Sequence, residues 1–336
     1  MEILSTSDTD LEKAAAALKA GFLVAFPTET VYGLGGDAFN TSALAKIFEA
    51  KNRPRFDPLI IHIAEMDSIH RIVNTASFDR DAAEKLSLLS ERLWPGPLTL
   101  IMPKRPEVPD LATAGLNTVA LRFPSHPLAQ KLIRLSTEAV AAPSANPFGC
   151  LSPTRAEHVH VQLGGKVDFI IDGGKTVVGL ESTVLDITQN PPAILRHGGT
   201  SRETIEAIIG SVRVNTEPEG QTSCKTPVSP GQLKSHYAPR TPLTLCKLGE
   251  LETIALTPQE GRLYFSAPKN RNQAPEKTRV LSETSNLTEA AANFFDMLHE
   301  LDKLGLDLIR AEEVPAAGIG EAINDRLRRA ANSSIS

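Results

Sequence analysis

An alternation of two hydrophobic patterns along residues 1–210 limits the folds that this chain can adopt. Short apolar runs such as Phe22–Phe26 and Leu59–Ile63 have the length and the β-branched content of buried strands. Stretches between such runs, for example Ala82–Leu93 and Pro127–Leu135, repeat apolar residues at helical spacing. Strands and helices that follow one another in turn are typical of an α/β domain, in which helices cover a sheet.

Local motifs predict the limits of individual elements. Apolar runs predict strands at Ala193–Arg196 and Leu243–Cys246. Thr154-x-x-Glu157 and Thr200-x-x-Glu203 match the capping box, in which two side chains accept hydrogen bonds from the first backbone amides of a helix. The two boxes therefore predict helices that are capped by these two threonines.

Two glycine-rich segments look like nucleotide-binding loops, but each lacks a required residue. Asp172–Thr176 ends in Gly-Lys-Thr, yet Phe169 stands where a Walker-type phosphate loop needs a glycine. Gly33–Gly36 does not complete a dinucleotide-binding fingerprint, because Ala38 stands at the position of its last glycine. We therefore interpret residues 172–176 as a hairpin turn that leads to Glu181, and we predict no dinucleotide-binding site.

The amino-acid composition of the sequence changes after residue 211. Asn215–Gly231 contains three prolines, two glycines and few large apolar residues, which is typical of a linker. Strand and helix patterns then resume, with a long amphipathic stretch at Asn286–Leu304. We predict a domain at 1–211, a linker or lid at 212–239 and a smaller α/β domain at 240–336, a division that suits 336 residues.

Charge and hydropathy exclude several classes of protein. The chain has 35 basic and 40 acidic residues. Residues 1–210 hold 20 of the basic residues and 24 of the acidic ones. Neither part is basic, so a bulk nucleic-acid coat or a polybasic membrane binder is excluded. No apolar stretch approaches the roughly 18 residues of a membrane span, and Met1–Asp10 lacks the pattern of a signal peptide.

Cysteine and histidine usage predicts a reducing compartment and no resident metal. The chain has an odd number of cysteines, which lie far apart and form no Cys-x-x-Cys motif: Cys150, Cys224 and Cys246. The eight histidines include no His-Glu-x-x-His motif and no dense cluster. We therefore expect a cytoplasmic protein with free thiols and without a tightly bound transition metal.

Polar residues concentrate directly after the predicted strands. Pro27–Asp37 follows the first buried strand and combines threonines, a glutamate and glycines that permit close backbone approach. Lys51–Arg55 places three cations on a proline-broken loop, with Asp57 and His62 beyond it. Guanidinium groups on such a loop can bind phosphates. A tight strand-to-helix connection, a solvated helix end and a core histidine are the alternatives that stay open at these positions.

One arginine is predicted to be buried. Alternation along Thr118–Arg122 puts Thr118, Ala120 and Arg122 on one strand face, so the guanidinium must find a partner or line a cavity. Ala142–Gly149 is a stiff loop after another short strand, where open α/β sheets commonly bind ligands, and Ser152 follows it. The residues thus predict an arginine-lined cleft for a phosphate-bearing ligand. A core charge at Arg122 and ordinary turn chemistry in the loop stay open.

Taken together, these segments resemble the YrdC-like family of threonylcarbamoyl-AMP synthases. Six motifs occur in family order and cover nearly all of residues 10–210, and Ser229–Gly231, His236–Pro239 and a further domain resemble the family's long form. The six motifs are Pro27–Leu34, Lys51–Pro54 with Pro58–His62, Val119–Arg122, Pro143–Gly149, Glu181–Asp186 and Leu195–Gly198. The resemblance implies an α/β fold with a twisted mixed-sheet domain and an open ligand cleft, followed by a smaller Rossmann-like C-terminal α/β domain.

The resemblance also implies an activity. Family members condense L-threonine, bicarbonate or CO₂, and ATP into threonylcarbamoyl-AMP and pyrophosphate, which makes them nucleotidyltransferases. The adenylate supplies the threonylcarbamoyl group for N6 of adenosine 37 in tRNA, through a separate tRNA threonylcarbamoyl transferase machinery. Mg²⁺ would be carried by ATP, because the triphosphate provides most of its oxygen ligands. The resemblance allows weak tRNA binding and implies no membrane partner.

The same resemblance assigns roles to individual residues. Lys51 and Arg53 would be catalytic, with Lys51 facing the phosphates, and Arg122 would pair with the threonine carboxylate. Asp57 stands where the family often has asparagine, so its role beside phosphates would depend on Mg²⁺ or on the ribose. The threonine-binding residues would be Thr30, His62, Arg122, Ala142 and Ser182. The ATP-binding residues would be Arg53, Asp57, Thr118, Ser144, Ser152, Arg196 and Tyr237.

Two other functions fit parts of the sequence. A binding module for structured RNA could use Lys51, Arg53, Arg55 and Arg196 as a basic cleft without catalysis. Another carbamoyl-transfer enzyme could share the domain, as hydrogenase-maturation proteins do, but those proteins carry zinc-finger and acylphosphatase-like modules that this sequence does not show. Arg122 and the loops rich in serine and threonine favour the synthase.

Overall fold

Two sheets organise the chain in the computed structural model, which describes residues 1–215, 236–255, 257–269 and 275–332. Most of the linker predicted at 212–239 lies outside the described residues, and so do its motif at 229–231 and Cys224. The strands of the larger sheet are β1 (Glu2–Leu4), β2 (Val24–Phe26), β3 (Gly33–Asp37), β4 (Ile60–Ile63), β5 (Leu98–Pro103), β6 (Thr118–Arg122), β7 (Ala139–Ala141), β8 (Phe169–Ile171), β9 (Thr183–Asp186), β10 (Ala193–Arg196) and β11 (Arg213–Val214). Those of the smaller sheet are β12 (Leu243–Cys246), β13 (Glu260–Ser266), β14 (Thr278–Ser282) and β15 (Leu308–Glu312).

Ten α-helices connect and cover these strands within the described residues. They are α1 (Asp8–Lys19), α2 (Thr41–Lys51), α3 (Ile69–Ile72), α4 (Arg80–Leu93), α5 (Asp110–Thr113), α6 (Pro127–Leu135), α7 (Ala156–Leu163), α8 (Arg202–Ile209), α9 (Leu287–Asp302) and α10 (Gly320–Asn332). None of these helices combines the length and the apolar character that crossing a bilayer requires.

The larger sheet mixes parallel and antiparallel pairs in the order β1-β8-β2-β3-β7-β4-β6-β5-β9-β10-β11. Strand β4 is parallel to β6 and antiparallel to β7, so strands that are distant in sequence become neighbours. Strand β2 is buried on both faces, because Val24 and Phe26 belong to the apolar cluster of α1 and α6, whereas Ala25 belongs to that of α2. The predicted mixed-sheet α/β fold is confirmed.

The smaller sheet is parallel throughout, in the order β12-β15-β13-β14, and α9 and α10 pack on it. Its apolar core contains Phe294 and Phe295 of α9 and Leu327 of α10. Val31, Leu151, Leu180 and Tyr237 belong to the same cluster. Side chains from the first part of the chain therefore complete the core of the second.

Several local predictions are accurate and others are wrong. Helix α6 and strands β10 and β12 have the predicted limits. The capping box at Thr154 is wrong, because α7 begins after Arg155, whose side chain makes no cap hydrogen bond. Helix α8 is capped by Ser201, which accepts from the amide of Thr204 at 3.2 Å, and not by Thr200. In both cases the helix begins later than the motif predicts.

Two glycine-rich segments also differ from expectation. Residues 172–176 are not a hairpin turn, because β8 pairs with β1 and β2 whereas β9 pairs with β5 and β10. Gly33–Gly36 lies in strand β3, where a side chain on Gly35 would begin 2.7 Å from the ring of Phe26. These glycines therefore permit close packing of strands.

Candidate active site

One cavity is lined by the loops after β2 and β7, by residues of β4, by the end of β6 and by residues 236–237. Hydroxyl, imidazole and guanidinium groups are among the groups that line it. The residues with a predicted role that line it are Thr30, Arg53, His62, Arg122, Ala142, Ser144, Ser182, Arg196 and Tyr237. Four residues with a predicted role do not line the cavity: Lys51, Asp57, Thr118 and Ser152. Two residues to which sequence reasoning assigned no role do line it, namely Glu181 and His236.

Arg122 reaches the cavity from the end of β6 and is almost completely buried. Its Nη1 donates to Thr30 Oγ1 at 2.9 Å, its Nη2 donates to Glu29 Oε1 at 2.6 Å, and its Nε donates to the carbonyl of Gly96 at 3.3 Å. Glu29 is therefore the ion-pair partner that the sequence motif did not single out. These three contacts fix the plane of the guanidinium at the cavity wall.

His62 lies beside Arg122 because β4 and β6 pair in parallel with these two residues in register. Its Nδ1 is 3.2 Å from the carbonyl oxygen of Ile60. Burial, together with the positive charge of Arg122, lowers the pKa of His62 to about 3. The imidazole is therefore neutral at physiological pH and adds no second cation to this part of the cavity.

Arg53 and Lys51 come from the end of helix α2, where Asn52 adopts a left-handed conformation and turns the chain. Arg53 Nε donates to the carbonyl of Asp57 at 3.0 Å, and its Nη2 lies 2.9 Å from the Asp57 carboxylate. Burial raises the pKa of Asp57, although Arg53 opposes the shift. Asp57 thus holds Arg53 in place from behind the cavity wall.

Lys51 supports the opposite wall of the cavity from below. Its Nζ donates to the carbonyl of Ser144 at 2.6 Å and to that of Asn146, so it ties α2 to the Ser144 loop. Burial and the neighbouring Arg53 hold the pKa of Lys51 well below its ordinary value. Both of these carbonyls belong to the protein, and Lys51 does not line the cavity. A direct contact of Lys51 with phosphate stays a prediction.

Arg196 provides a third buried guanidinium. Its Nη2 donates to the carbonyl of Ser182 at 2.9 Å and to Ser182 Oγ at 3.1 Å. Ser152 lies behind this wall and donates its hydroxyl hydrogen to Glu181. Thr118, at the start of β6, pairs with Pro103 of β5 and is half-buried away from the cavity. Its predicted contact with ATP stays a prediction.

His236 and Tyr237 close the cavity on the side of the second domain. Tyr237 has a left-handed φ of 63° and is 2% exposed. The next amide, of Ala238, donates to the carbonyl of Gly149 at 2.8 Å, which attaches this segment to the first domain. The ring of His236 packs edge-on against Phe148 at 5.4 Å. Tyr237 therefore sits between the Gly149 loop and the second domain.

The charged side chains that line the cavity are mostly positive. Within the described ranges, no three His, Cys, Asp or Glu side chains come together in a way that could hold one. Its most abundant charged groups are the guanidinium groups of Arg53, Arg122 and Arg196, each on a residue no more than 8% exposed. Such a set suits a ligand that carries several negative charges.

Comparisons with known proteins agree with this geometry. Residues 16–198 match the Sua5_yciO_yrdC model, described as telomere recombination, and residues 200–332 match the threonylcarbamoyl-AMP synthase C-terminal domain. Threonylcarbamoyl-AMP synthase of Bacillus subtilis is 43% identical over 99% of this chain and 96% of its own length. The crystal structure of P. abyssi Sua5 complexed with L-threonine has a TM-score of 0.88 and 38% identity, covering 99% of this chain and 98% of that one. The chain belongs to the threonylcarbamoyl-AMP synthase family, in its two-domain form.

Proposed function

We propose that this chain condenses L-threonine, bicarbonate or CO₂, and ATP into threonylcarbamoyl-AMP and pyrophosphate. The observation that carries the proposal is the convergence of three buried guanidinium groups, from Arg53, Arg122 and Arg196, on one cavity lined by hydroxyl groups. An amino-acid carboxylate and a triphosphate are the negative charges that would occupy such a cavity. The L-threonine bound to the P. abyssi relative supports an amino-acid site here.

The threonine half of the site would lie around Arg122. The threonine carboxylate would pair with the Arg122 guanidinium, whose plane Glu29 and Thr30 already fix. Because His62 is neutral, it does not repel the amino group of the substrate. The uncharged amine attacks the carbon of CO₂ and releases one proton to solvent, which yields the carbamate. Ala142 and Ser182 would complete this pocket.

The nucleotide half would lie between Arg53, Ser144, Arg196 and Tyr237. One carbamate oxygen attacks the α-phosphorus of ATP, the bond between the α-phosphorus and its bridging oxygen breaks, and pyrophosphate leaves. No enzyme nucleophile is needed, so positioning and charge neutralisation supply the catalysis. Mg²⁺ would enter with ATP and be held mainly by its phosphates. Asp57 and Lys51 would act by holding Arg53 and the Ser144 loop.

In the cell, the adenylate would pass to the tRNA threonylcarbamoyl transferase machinery of the cytoplasm. An RNA-binding module is the weaker alternative, because Lys51, Arg53 and Arg196 are buried and only Arg55 of that set is exposed. Buried cations cannot neutralise the phosphates of a nucleic-acid backbone. Any contact with tRNA would therefore use other surfaces.

The direct test is analysis of the products by mass spectrometry. Purified protein is incubated with ATP, threonine and bicarbonate, and with each substrate omitted in turn. The proposal expects threonylcarbamoyl-AMP only in the complete mixture, with pyrophosphate released in equal amount. Pyrophosphate release that does not depend on threonine, as the main activity, would contradict the proposal.

A further inference from the structure

One side chain of the second domain reaches the cavity wall of the first. Arg326 lies on helix α10 and is 0% exposed. Its Nε donates to Glu181 Oε2 at 3.1 Å, and its Nη2 lies at the same distance from that oxygen. Glu181 lines the cavity, and its other oxygen accepts from Ser152. The charge on the cavity carboxylate is thus compensated from the second domain.

The same guanidinium supports a second residue of the cavity. Its central carbon lies 5.0 Å from the centre of the Tyr237 ring, in the geometry of a cation–π contact. The far end of the guanidinium is held by Asp325, at 3.0 Å from Nη1, and Asp325 also pairs with Arg329. Arg326 is therefore fixed from its own helix while it contacts two cavity residues of different segments.

The position of Glu181 makes this contact important for a negatively charged ligand. Glu181 lines the same cavity as Arg196 and Tyr237, which the proposed function places in its nucleotide half. A bare carboxylate there would repel a triphosphate, because like charges in a poorly hydrated site interact strongly. The Arg326 guanidinium removes that repulsion without itself lining the cavity.

We propose that Arg326 is a positioning residue of the ATP site. It neutralises Glu181 and supports the Tyr237 ring, so that the nucleotide half of the site is complete only when the second domain is docked. This inference rests on the proposed function, since it takes ATP as the ligand of that half. Among the described residues, the hydrogen bonds and ion pairs of Arg122 and His62 do not include Arg326, so the threonine half should not depend on it.

The test compares the ATP and threonine affinities of Arg326→Gln by calorimetry. Binding is measured with a non-hydrolysable ATP analogue and with threonine, each titrated alone. We expect the dissociation constant for the analogue to rise roughly 10- to 100-fold, because like-charge juxtaposition is costly, and that for threonine to change less than about threefold. A structural defect would weaken both ligands together, and that result would overturn the inference.

A charge-compensated variant separates neutralisation from packing. Glu181→Gln combined with Arg326→Gln removes both charges and leaves two amides that can hydrogen-bond to each other. We expect this double variant to recover the affinity for the analogue to within about fivefold of the wild type, the remainder being the lost cation–π contact. If Arg326→Gln does not fold, the double variant alone decides, and a tenfold or larger loss in it overturns the inference.

Arg155→Gln is the matched control. Arg155 also joins the two domains, through Asp296 at 2.7 Å, but it does not contact the cavity, and Lys175 remains as a partner of Asp296. We expect its affinity for both ligands to equal that of the wild type. If Arg326→Gln behaves like Arg155→Gln, the inference is wrong even where the wild type makes threonylcarbamoyl-AMP. If the wild type binds the ATP analogue but makes no adenylate, the proposed function fails instead.

Discussion

The cavity and the interface between the domains both contain buried charges, but they use them differently. At the interface, Asp296 of α9 accepts from Arg155 Nε at 2.7 Å and from Lys175 Nζ, which lies 2.8 Å away. His158 and His299 stack beside it with ring centres 3.9 Å apart. We call these five residues the Asp296 cluster. Its charges fill the space between the domains, whereas those of the cavity line a space that remains open.

This difference separates a binding site from a structural contact. Burial opposes ionisation of Asp296, but hydrogen bonds from Arg155 and Lys175 hold its pKa at about 2. Its charge is therefore compensated within the protein at neutral pH. Around the cavity, Glu29 and Asp57 pair with the guanidinium groups of Arg122 and Arg53 and fix them in orientations that would also serve a ligand. Changes in the cavity should therefore alter binding, and changes in the Asp296 cluster should alter stability.

The largest effect is expected from Arg122→Ala. Loss of one partner of a desolvated charge pair typically costs about 2 to 5 kcal/mol, so threonine affinity should fall roughly 30-fold to several thousandfold. Calorimetric titration with threonine measures the loss. Arg155→Ala, the same substitution in the Asp296 cluster, should leave threonine affinity unchanged. Normal affinity in a well-folded Arg122→Ala protein would mean that Arg122 is only a core charge.

Tyr237→Ala should affect both regions, because Tyr237 lines the cavity and its ring lies 5.9 Å from Phe295 of the second domain. If the ring stacks on adenine, its removal should weaken ATP binding by about 1 to 3 kcal/mol. Adenylate should also be lost to water more readily, without abolition of synthesis. Tyr237→Phe keeps the ring and should bind ATP almost normally. Normal adenylate yield and normal ATP binding in Tyr237→Ala would mean that the predicted lid at 212–239 only connects the two domains.

Asp296→Asn should change stability and leave binding intact. It removes the charge that Arg155 and Lys175 share, and a hydrogen bond to a charged group makes a net contribution of about 1.5 to 3 kcal/mol. Because Arg155 is partly exposed and can be rehydrated, we expect a loss of about 1 to 3 kcal/mol in the free energy of unfolding. Urea denaturation measures it. A large loss of ATP or threonine affinity would break the distinction between the two regions.

The sequence was most informative where local chemistry decides the structure. Helix α6 is predicted to the residue, because Pro127 occupies its first turn and its apolar residues follow one face. Strand β3 is not predicted from the sequence, because its four residues before Asp37 are three glycines and one leucine, a composition that favours a turn. Its strand conformation depends on pairing with β2 and with β7, and the β7 pair joins Gly36 to Ala141, a distant residue that a local pattern cannot encode.

The same reasoning applies to the cavity. Strand alternation predicts the face of β6 on which Arg122 lies, and the family resemblance supplies the roles of other motif residues that line the cavity. Glu29 and Glu181 lie inside those motifs, but only the fold shows that one pairs with Arg122 and the other with a residue 145 positions away. Arg326 looks like an ordinary cation on an amphipathic helix. Its burial depends on domain docking, which no local pattern records.

The smallest effect at neutral pH is expected from His299→Gln in the Asp296 cluster. His299 Nε2 lies 3.1 Å from the carbonyl oxygen of Ser152, and the glutamine amide can donate to the same oxygen. The cost at pH 7 should therefore stay below about 1 kcal/mol. Acid should reveal the difference, because burial lowers the pKa of His299 from 6.5 to about 4.

The sign of that pH dependence follows from proton binding. Below pH 6.5 the unfolded chain takes up a proton on His299, whereas the folded chain does not until about pH 4. The free energy of unfolding should therefore fall as the pH decreases through this window, by up to about 1.4 kcal/mol per pH unit from this residue. His299→Gln should show a shallower decline in urea denaturation series at successive pH values, with His158 supplying part of the remaining slope. Equal slopes for the wild type and the variant would show that the stacked pair already carries a proton in the folded protein, and the Asp296 cluster would then hold one more positive charge than its geometry indicates.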